Sequence, residues 1–407
     1  MKQVQVLTAA WYGDQEVTLT FPDDWNLNVI AFERRPVLDT EEMRRAFHHP
    51  IGSPRISEMA QGKKSAVIIA DDLTRPTPAS EVIPFILEEL EAGGIPEEEI
   101  LIFMGFGCHR QMKHDDLVKK LGEDVVRRFR VKQNELDEAC VYLGETSRGI
   151  PLHVNQWVME QEFKVGIGGT WPHGTAAFSG GGKIIIPGVA NFETISRAHG
   201  TLKGGGNAGN VENEFRLNSE EAARMVGLNA TVLTLLNDRR QITGLFVGDV
   251  VAAHRATVKE ARVAYAVKPM PDADVVIATG YPRDHDLPYG GIGAWPLRHS
   301  QPEATRILIT SGDEGTGYHR AGILHRKRRR EEENRERDER KPLIRPNGWD
   351  YILFSQAVGP MEVLETHPKA ILMESWDEIL DLLKQKYRDQ KSKVAIYPSS
   401  AIAYPIE

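Results

Sequence analysis

The chain has 407 residues, 41% of them hydrophobic and 27% charged, the composition of an ordinary globular protein of two or three domains. With 50 basic and 58 acidic residues the net charge is −8, which argues against broad nucleic-acid binding and suits a cytoplasmic protein. Only two cysteines, Cys108 and Cys140, exclude a disulfide framework and a four-cysteine zinc site. The opening residues lack the basic-then-apolar pattern of a signal peptide, and no apolar run approaches the roughly 20 residues of a membrane span.

A repeated unit then runs along the chain: a short apolar strand, a polar loop and an amphipathic helix. Residues 65–70 read as a buried strand that enters the loop DDLTRPTP at 71–78, and a helix over 79–92 is stopped by Gly93 and Gly94. Residues 100–104 form the next strand, leading to GFGCHR at 105–110 and a helix near 115–129. A third strand at 163–167 delivers the loop that carries Pro172 and His173. Strands alternating with helices predict an α/β protein with mainly parallel sheets flanked by helices. Ligands bind at the carboxyl ends of such strands. Three successive strands thus bring Asp72 and Arg75, His109, and His173 to one edge.

The stretch 169–200, GTWPHGTAAFSGGGKIIIPGVANFETISRAHG, carries the most unusual composition. Glycine loses more conformational freedom on folding than any other residue. Three in a row, Gly180 to Gly182, ending in Lys183, suggest backbone held close to a ligand. The loop is not a Walker A motif, because Ile184 follows the lysine where a hydroxyl is needed, and Trp171 breaks the dinucleotide pattern after Gly166 and Gly168. His199 follows a predicted helix over 191–198, and Cys108 reads as a packing residue.

Further strands are expected at 274–280, 306–312, 351–358, 370–375 and 394–398. Pro269 and Pro271 mark a linker, so the chain divides into an N-terminal domain (1–267) and a C-terminal domain (268–407), with the site expected in the cleft between them. The run at 325–341, HRKRRREEENRERDERK, mixes both signs and is expected to be a solvated helix or lid rather than a nucleic-acid arm.

DDLTRPTP at 71–78, GCHR at 107–110 and PHGTAAFSGGGKIIIPG at 172–188, followed by His199, closely resemble the nickel-dependent lactate racemase family. The resemblance covers the whole N-terminal domain and, more loosely, the C-terminal one. It implies a racemase or epimerase of 2-hydroxy acids that uses a nickel-pincer nucleotide, pyridinium-3,5-bisthiocarboxylic acid mononucleotide, made by dedicated biosynthesis enzymes. Carried over residue by residue, Lys183 would hold the cofactor covalently through a thioamide, with Thr74, Ser179, Gly180, Gly181 and Gly182 beside it. His199 would complete the nickel coordination, His109 and His173 would be acid and base, and Asp72 and Arg75 would share the site.

These residue types suit the chemistry. Inverting a 2-hydroxy acid through a 2-keto acid avoids a carbanion beside a carboxylate, but needs a hydride acceptor, which a cofactor supplies. Histidine provides bases near working pH, arginine a fork for the carboxylate, and imidazole a nickel ligand. The C-terminal loop at 281–299 departs from the family. A glutamine and a lysine are expected there, and Tyr289 and Ile292 stand at about those positions. Arg283, His285, Tyr289 and Trp295 instead offer more hydrogen-bonding capacity than a methyl group uses, which points to a polar substrate such as a sugar acid rather than lactate. Two other readings stay open. One is a zinc hydrolase with His109, His173 and His199 as ligands, and the other is a non-catalytic hydroxy-acid-binding homologue.

Overall fold

The computed structural model describes residues 1–136, 138–320, 351–388 and 391–407, so the charged run at 325–341 lies outside the described residues. The chain divides into two units, Glu33–Tyr265 and a second built from Met1–Phe32 with Ala266–Glu407. Strands β1 (Lys2–Thr8), β2 (Gln15–Phe21) and β3 (Asn26–Val29) open the chain. Then come β4 (Ala66–Ala70), β5 (Ile100–Met104), β6 (Arg130–Gln133), the hairpin β7 (Cys140–Glu145) and β8 (Pro151–Asn155), and β9 (Phe163–Gly169). A short hairpin of β10 (Pro172–His173) and β11 (Ala177–Phe178) precedes β12 (Ala230–Leu236) and β13 (Ile242–Gly248). The remaining strands are β14 (Ala266–Val267), β15 (Val275–Thr279), β16 (Thr305–Ile309), β17 (Tyr351–Phe354), β18 (Ala370–Met373), β19 (Lys393–Tyr397) and β20 (Tyr404–Pro405).

The Glu33–Tyr265 unit is built on a six-stranded sheet in the order β13-β12-β9-β4-β5-β6, parallel except for β13 at its edge. Strands β4, β5, β9 and β12 are buried along their whole length, the pattern of a parallel sheet covered on both faces. The three central strands β9, β4 and β5 therefore end side by side, as the sequence predicts. The expected helix at 115–129 is two helices, His114–Leu121 and Glu123–Arg128. Gly122 between them adopts φ 86° and ψ 149°, a conformation closed to residues with a Cβ, and it ends the first helix. The helix before His199 runs Phe192–Thr201 from an Asn191 cap, so His199 lies inside its last turn rather than after it.

The second unit carries a six-stranded sheet, β18-β17-β16-β15-β19-β3, parallel throughout. Here the expected division at 267/268 needs correction. Residues Met1–Phe32 belong with the C-terminal part, because β3 pairs with β19 and Val6, Leu19, Phe21 and Trp25 fill one core with Val275, Ile307, Phe354 and Trp376. No helix of the described residues is long and apolar enough to cross a membrane.

Candidate active site

The turn after β4 places Asp71 and Asp72 at the sheet edge, and the turn after β5 places His109 beside them. Asp72 Oδ2 lies 2.6 Å from His109 Nδ1, and Thr74 Oγ1 donates to Asp72 Oδ1 at 2.6 Å. Arg75 Nη1 donates to Thr74 Oγ1 at 3.0 Å. Burial opposes ionisation of Asp72, but the adjoining His109, its hydrogen bond, the Arg75 charge and the Thr74 hydroxyl together hold the carboxyl well below its usual range. A carboxylate on Nδ1 fixes that proton there, so the lone pair of neutral His109 sits on Nε2.

His173 is set the other way round. Its Nδ1 accepts from the backbone N–H groups of Thr175 (3.2 Å) and Ala176 (3.3 Å), which puts the proton of the neutral ring on Nε2. That Nε2 lies 3.3 Å from Lys183 Nζ. The two imidazoles are therefore held in opposite tautomers, one presenting a lone pair and the other a proton.

Lys183 sits in a one-turn helix, Gly181–Ile184, whose position is fixed from behind. Gly180 and Gly181 have φ of 79° and 61°, and a Cβ on Gly182 would lie 2.5 Å from the Ser219 carbonyl oxygen. The three glycines are thus required by packing as well as by any ligand: Gly182 against the Glu214–Val226 helix, Gly181 against His254, and Gly180 against Leu233 and Thr170. Two buried residues that sequence reasoning missed tie down the loop's carbonyls. Arg216 donates to Gly180 O at 2.7 Å and to Phe178 O, and His254 Nε2 donates to Ser179 O at 2.9 Å. His254 is kept neutral by burial and by the nearby charges of Arg216 and Arg255, its pKa pushed well below the ordinary value. With its carbonyls bound behind, the loop turns its other face to the cleft.

That cleft, partly open to solvent, is lined by Asp72, Arg75, His109, Ser179, Gly180, Gly181 and Lys183, with Phe106 and Thr231 among its other walls. His173 borders it through Lys183, and Thr74 bridges Asp72 and Arg75. His199 stands one side chain further on. The buried Phe215 ring lies 5.2 Å from Lys183 Nζ and 4.8 Å, edge-on, from the His199 ring. His199 Nδ1 bonds to Ile195 O at 2.9 Å, so its lone pair is on Nε2, the tautomer a metal ligand needs. An amine in the cleft wall and an imidazole of this tautomer close by form a donor set that fits a covalently held, nickel-bearing nucleotide.

The rival zinc site does not form. Among the described residues no group of three or more His, Cys, Asp or Glu side chains comes together to hold a metal. His109 and His173 instead spend their Nδ1 atoms on Asp72 and on backbone N–H groups. Cys108 is buried and is not part of a disulfide.

The expected substrate residues of the C-terminal part lie in the other unit. Arg283 and His285 are buried and gather on Tyr289, with the Arg283 guanidinium 5.0 Å and the His285 ring 5.2 Å from the phenol ring. Trp295 departs from expectation. Its indole N–H donates to Ser400 O at 2.8 Å and its ring packs against Tyr397 in the core, so its polar atom is already used.

The model of the lactate racemase N-terminal domain matches residues 12–209. A lactate racemase from Lactiplantibacillus plantarum is 30% identical over 295 residues, 70% of this chain and 69% of that protein. A second, from Thermoanaerobacterium thermosaccharolyticum, is 28% identical over 325 residues, 76% of each chain. The structure of the lactate racemase apoprotein from that organism superposes with a TM-score of 0.75 at 20% identity, covering 99% of this chain and all of the other. A Thermotoga maritima protein superposes at 0.63 and 18%, covering 92% of this chain and all of that one. The motifs of the cleft, the fold and the matched relatives agree, and the chain belongs to the lactate racemase family, a family of isomerases.

Proposed function

We propose that this protein inverts C2 of a 2-hydroxy acid, with His109 and His173 exchanging the hydroxyl proton and Lys183 carrying a nickel-pincer nucleotide whose metal His199 completes. The single observation behind this reading is the pair of histidines each anchored through Nδ1, His109 by Asp72 and His173 by backbone N–H groups with its Nε2 against Lys183. When bound, the nucleotide supplies the hydride acceptor and donor. The chain supplies the rest. His109 Nε2 takes the hydroxyl proton of one enantiomer as the C2 centre becomes a ketone, and Asp72 stabilises the imidazolium that forms. His173, once protonated to the imidazolium, returns a proton to the oxygen as the opposite enantiomer forms, and the roles reverse in the other direction. Arg75, anchored through Thr74, offers its guanidinium to the substrate carboxylate.

The substrate we infer is a polar 2-hydroxy acid such as a sugar acid, not lactate. Arg283, His285 and Tyr289 support this, because a cluster of that polarity gains nothing from a methyl group. Trp295 offers the substrate no donor, its N–H being committed to Ser400 O. The test is cofactor-loaded protein incubated in heavy water with a panel of 2-hydroxy acids and aldonates. The expected result is C2 inversion with the C2 hydrogen largely retained, one nickel per chain, and an intact mass that returns to the bare polypeptide in Lys183→Ala. Solvent exchange at C2 in every turnover, or an adduct that survives Lys183→Ala, overturns the reading.

A further inference from the structure

Lys120 is a wholly buried lysine, at 0% exposure, on the His114–Leu121 helix, and nothing above gives it a role. Its ion pair and two hydrogen bonds lead into the loop that carries Asp72 and Arg75. Its Nζ lies 2.6 Å from Asp71 Oδ1 and donates to the carbonyl oxygens of Asp72 (3.0 Å) and Arg75 (3.1 Å). An ammonium has three protons to give, and these three acceptors match them. Asp71 is in turn held by Thr77 Oγ1 at 2.8 Å, so the turn is gripped at 71, 72, 75 and 77.

The cost of this arrangement is what makes it informative. Burial pushes the Asp71 carboxyl up and the Lys120 ammonium down, each toward its neutral form. A buried ion pair is a poor way to gain stability, since apolar side chains of similar volume usually do as well. What an ammonium can do and an apolar side chain cannot is fix the backbone carbonyls of both Asp72 and Arg75. Those are the two residues whose carboxylate meets His109 and whose guanidinium lies beside it.

We propose that Lys120, paired with Asp71, is a positioning residue that holds the 71–78 turn so that Asp72 meets His109 and Arg75 faces the cleft. The inference deepens the acid–base reading above and rests on it for the catalytic consequence, though not for the clamp itself.

Lys120→Met alone strands the Asp71 carboxylate and mixes that penalty with any change of position, so the decisive variant is the double substitution Asp71→Asn with Lys120→Met, which removes both charges together. The proposal expects the double variant to fold and melt close to the parent while its amides over 71–78 exchange faster with solvent in cofactor-free protein. It also expects unchanged nickel content and adduct mass, with kcat lowered about 100-fold, the scale of an ångström-sized misplacement. Parental kcat in the double variant, or unchanged exchange over 71–78, overturns the proposal. Faster exchange over 71–78 supports the clamp even where no 2-hydroxy acid is inverted by the parent protein, a result that would instead reject the acid–base reading.

Discussion

At the scale of single residues, the chemistry rests on which nitrogen of each histidine carries a proton, and Asp72 controls that for His109. Asp72 is 3% exposed and bonded to His109 and Thr74, and its carboxyl titrates below its ordinary range in the folded chain. A group whose folded pKa is depressed stabilises the fold fully above its unfolded value, about 3.9 for aspartate, and loses that contribution as the pH falls through that value toward the folded one. Asp72→Asn should therefore lower the melting temperature relative to the parent at neutral pH, with the gap closing below about pH 4. Inversion should fall about 100-fold, because the amide no longer stabilises an imidazolium. Melting curves of both proteins across that range check the first part, and a gap that stays constant with pH rejects it. His109, His173 and Lys183 were legible in the sequence because each sits in a short motif of unusual composition. Their tautomers were not, since they depend on Asp72, 37 positions from His109, and on backbone N–H groups that only the folded hairpin aims at His173.

Elements show why the glycine loop is a rigid platform rather than a flexible one. Its carbonyls at 178, 179 and 180 are held from the Glu214–Val226 and Ala252–Ala264 helices by Arg216 and His254. Arg255 in turn bonds His254 Nδ1 at 3.2 Å and pairs with Glu220 at 2.6 Å, so the two helices are linked to each other behind the loop. Replacing Arg216 with Met leaves two buried carbonyl oxygens unpaired at about 1–3 kcal/mol each. Arg216→Met is expected to lose that stability and, on the proposed function, to carry less of the proposed Lys183 adduct, as read by denaturant melts and intact mass. Full loading at parental stability would show that the carbonyl anchors are dispensable. The sequence could not announce this support. Arg216 and His254 lie 36 and 75 positions from the carbonyls they bind, in helices whose patterning is ordinary. By contrast, the strands at β4, β5 and β9 and the helix Ala79–Ala92 were legible, because continuous apolar runs and glycine stops are local signals.

For the molecule as a whole, the least legible feature was the placement of the first 32 residues. The Lys2–Thr8 and Gln15–Phe21 hairpin alternates like any surface ribbon, and nothing local says which sheet it covers. That is decided by partners at the far end of the chain, such as Val394, 366 positions from Asn28. Trp25 is the clearest case. It is 3% exposed and meets the Tyr387 ring edge-on at 6.1 Å, in a core shared with Phe354 and Trp376. Trp25→Ala should cost about 3–5 kcal/mol, the range for truncating a large buried aromatic. The loss belongs to the unit that Met1–Phe32 completes, whose strands β15, β16, β17 and β19 line that core. Residue-resolved hydrogen exchange is the fitting measurement, because a two-unit chain need not unfold in one step. Amides of β15, β16, β17 and β19 should exchange faster in Trp25→Ala, while those of β4, β5 and β9 keep their protection. Equal acceleration in both sets would mean that the first 32 residues stabilise the whole chain alike.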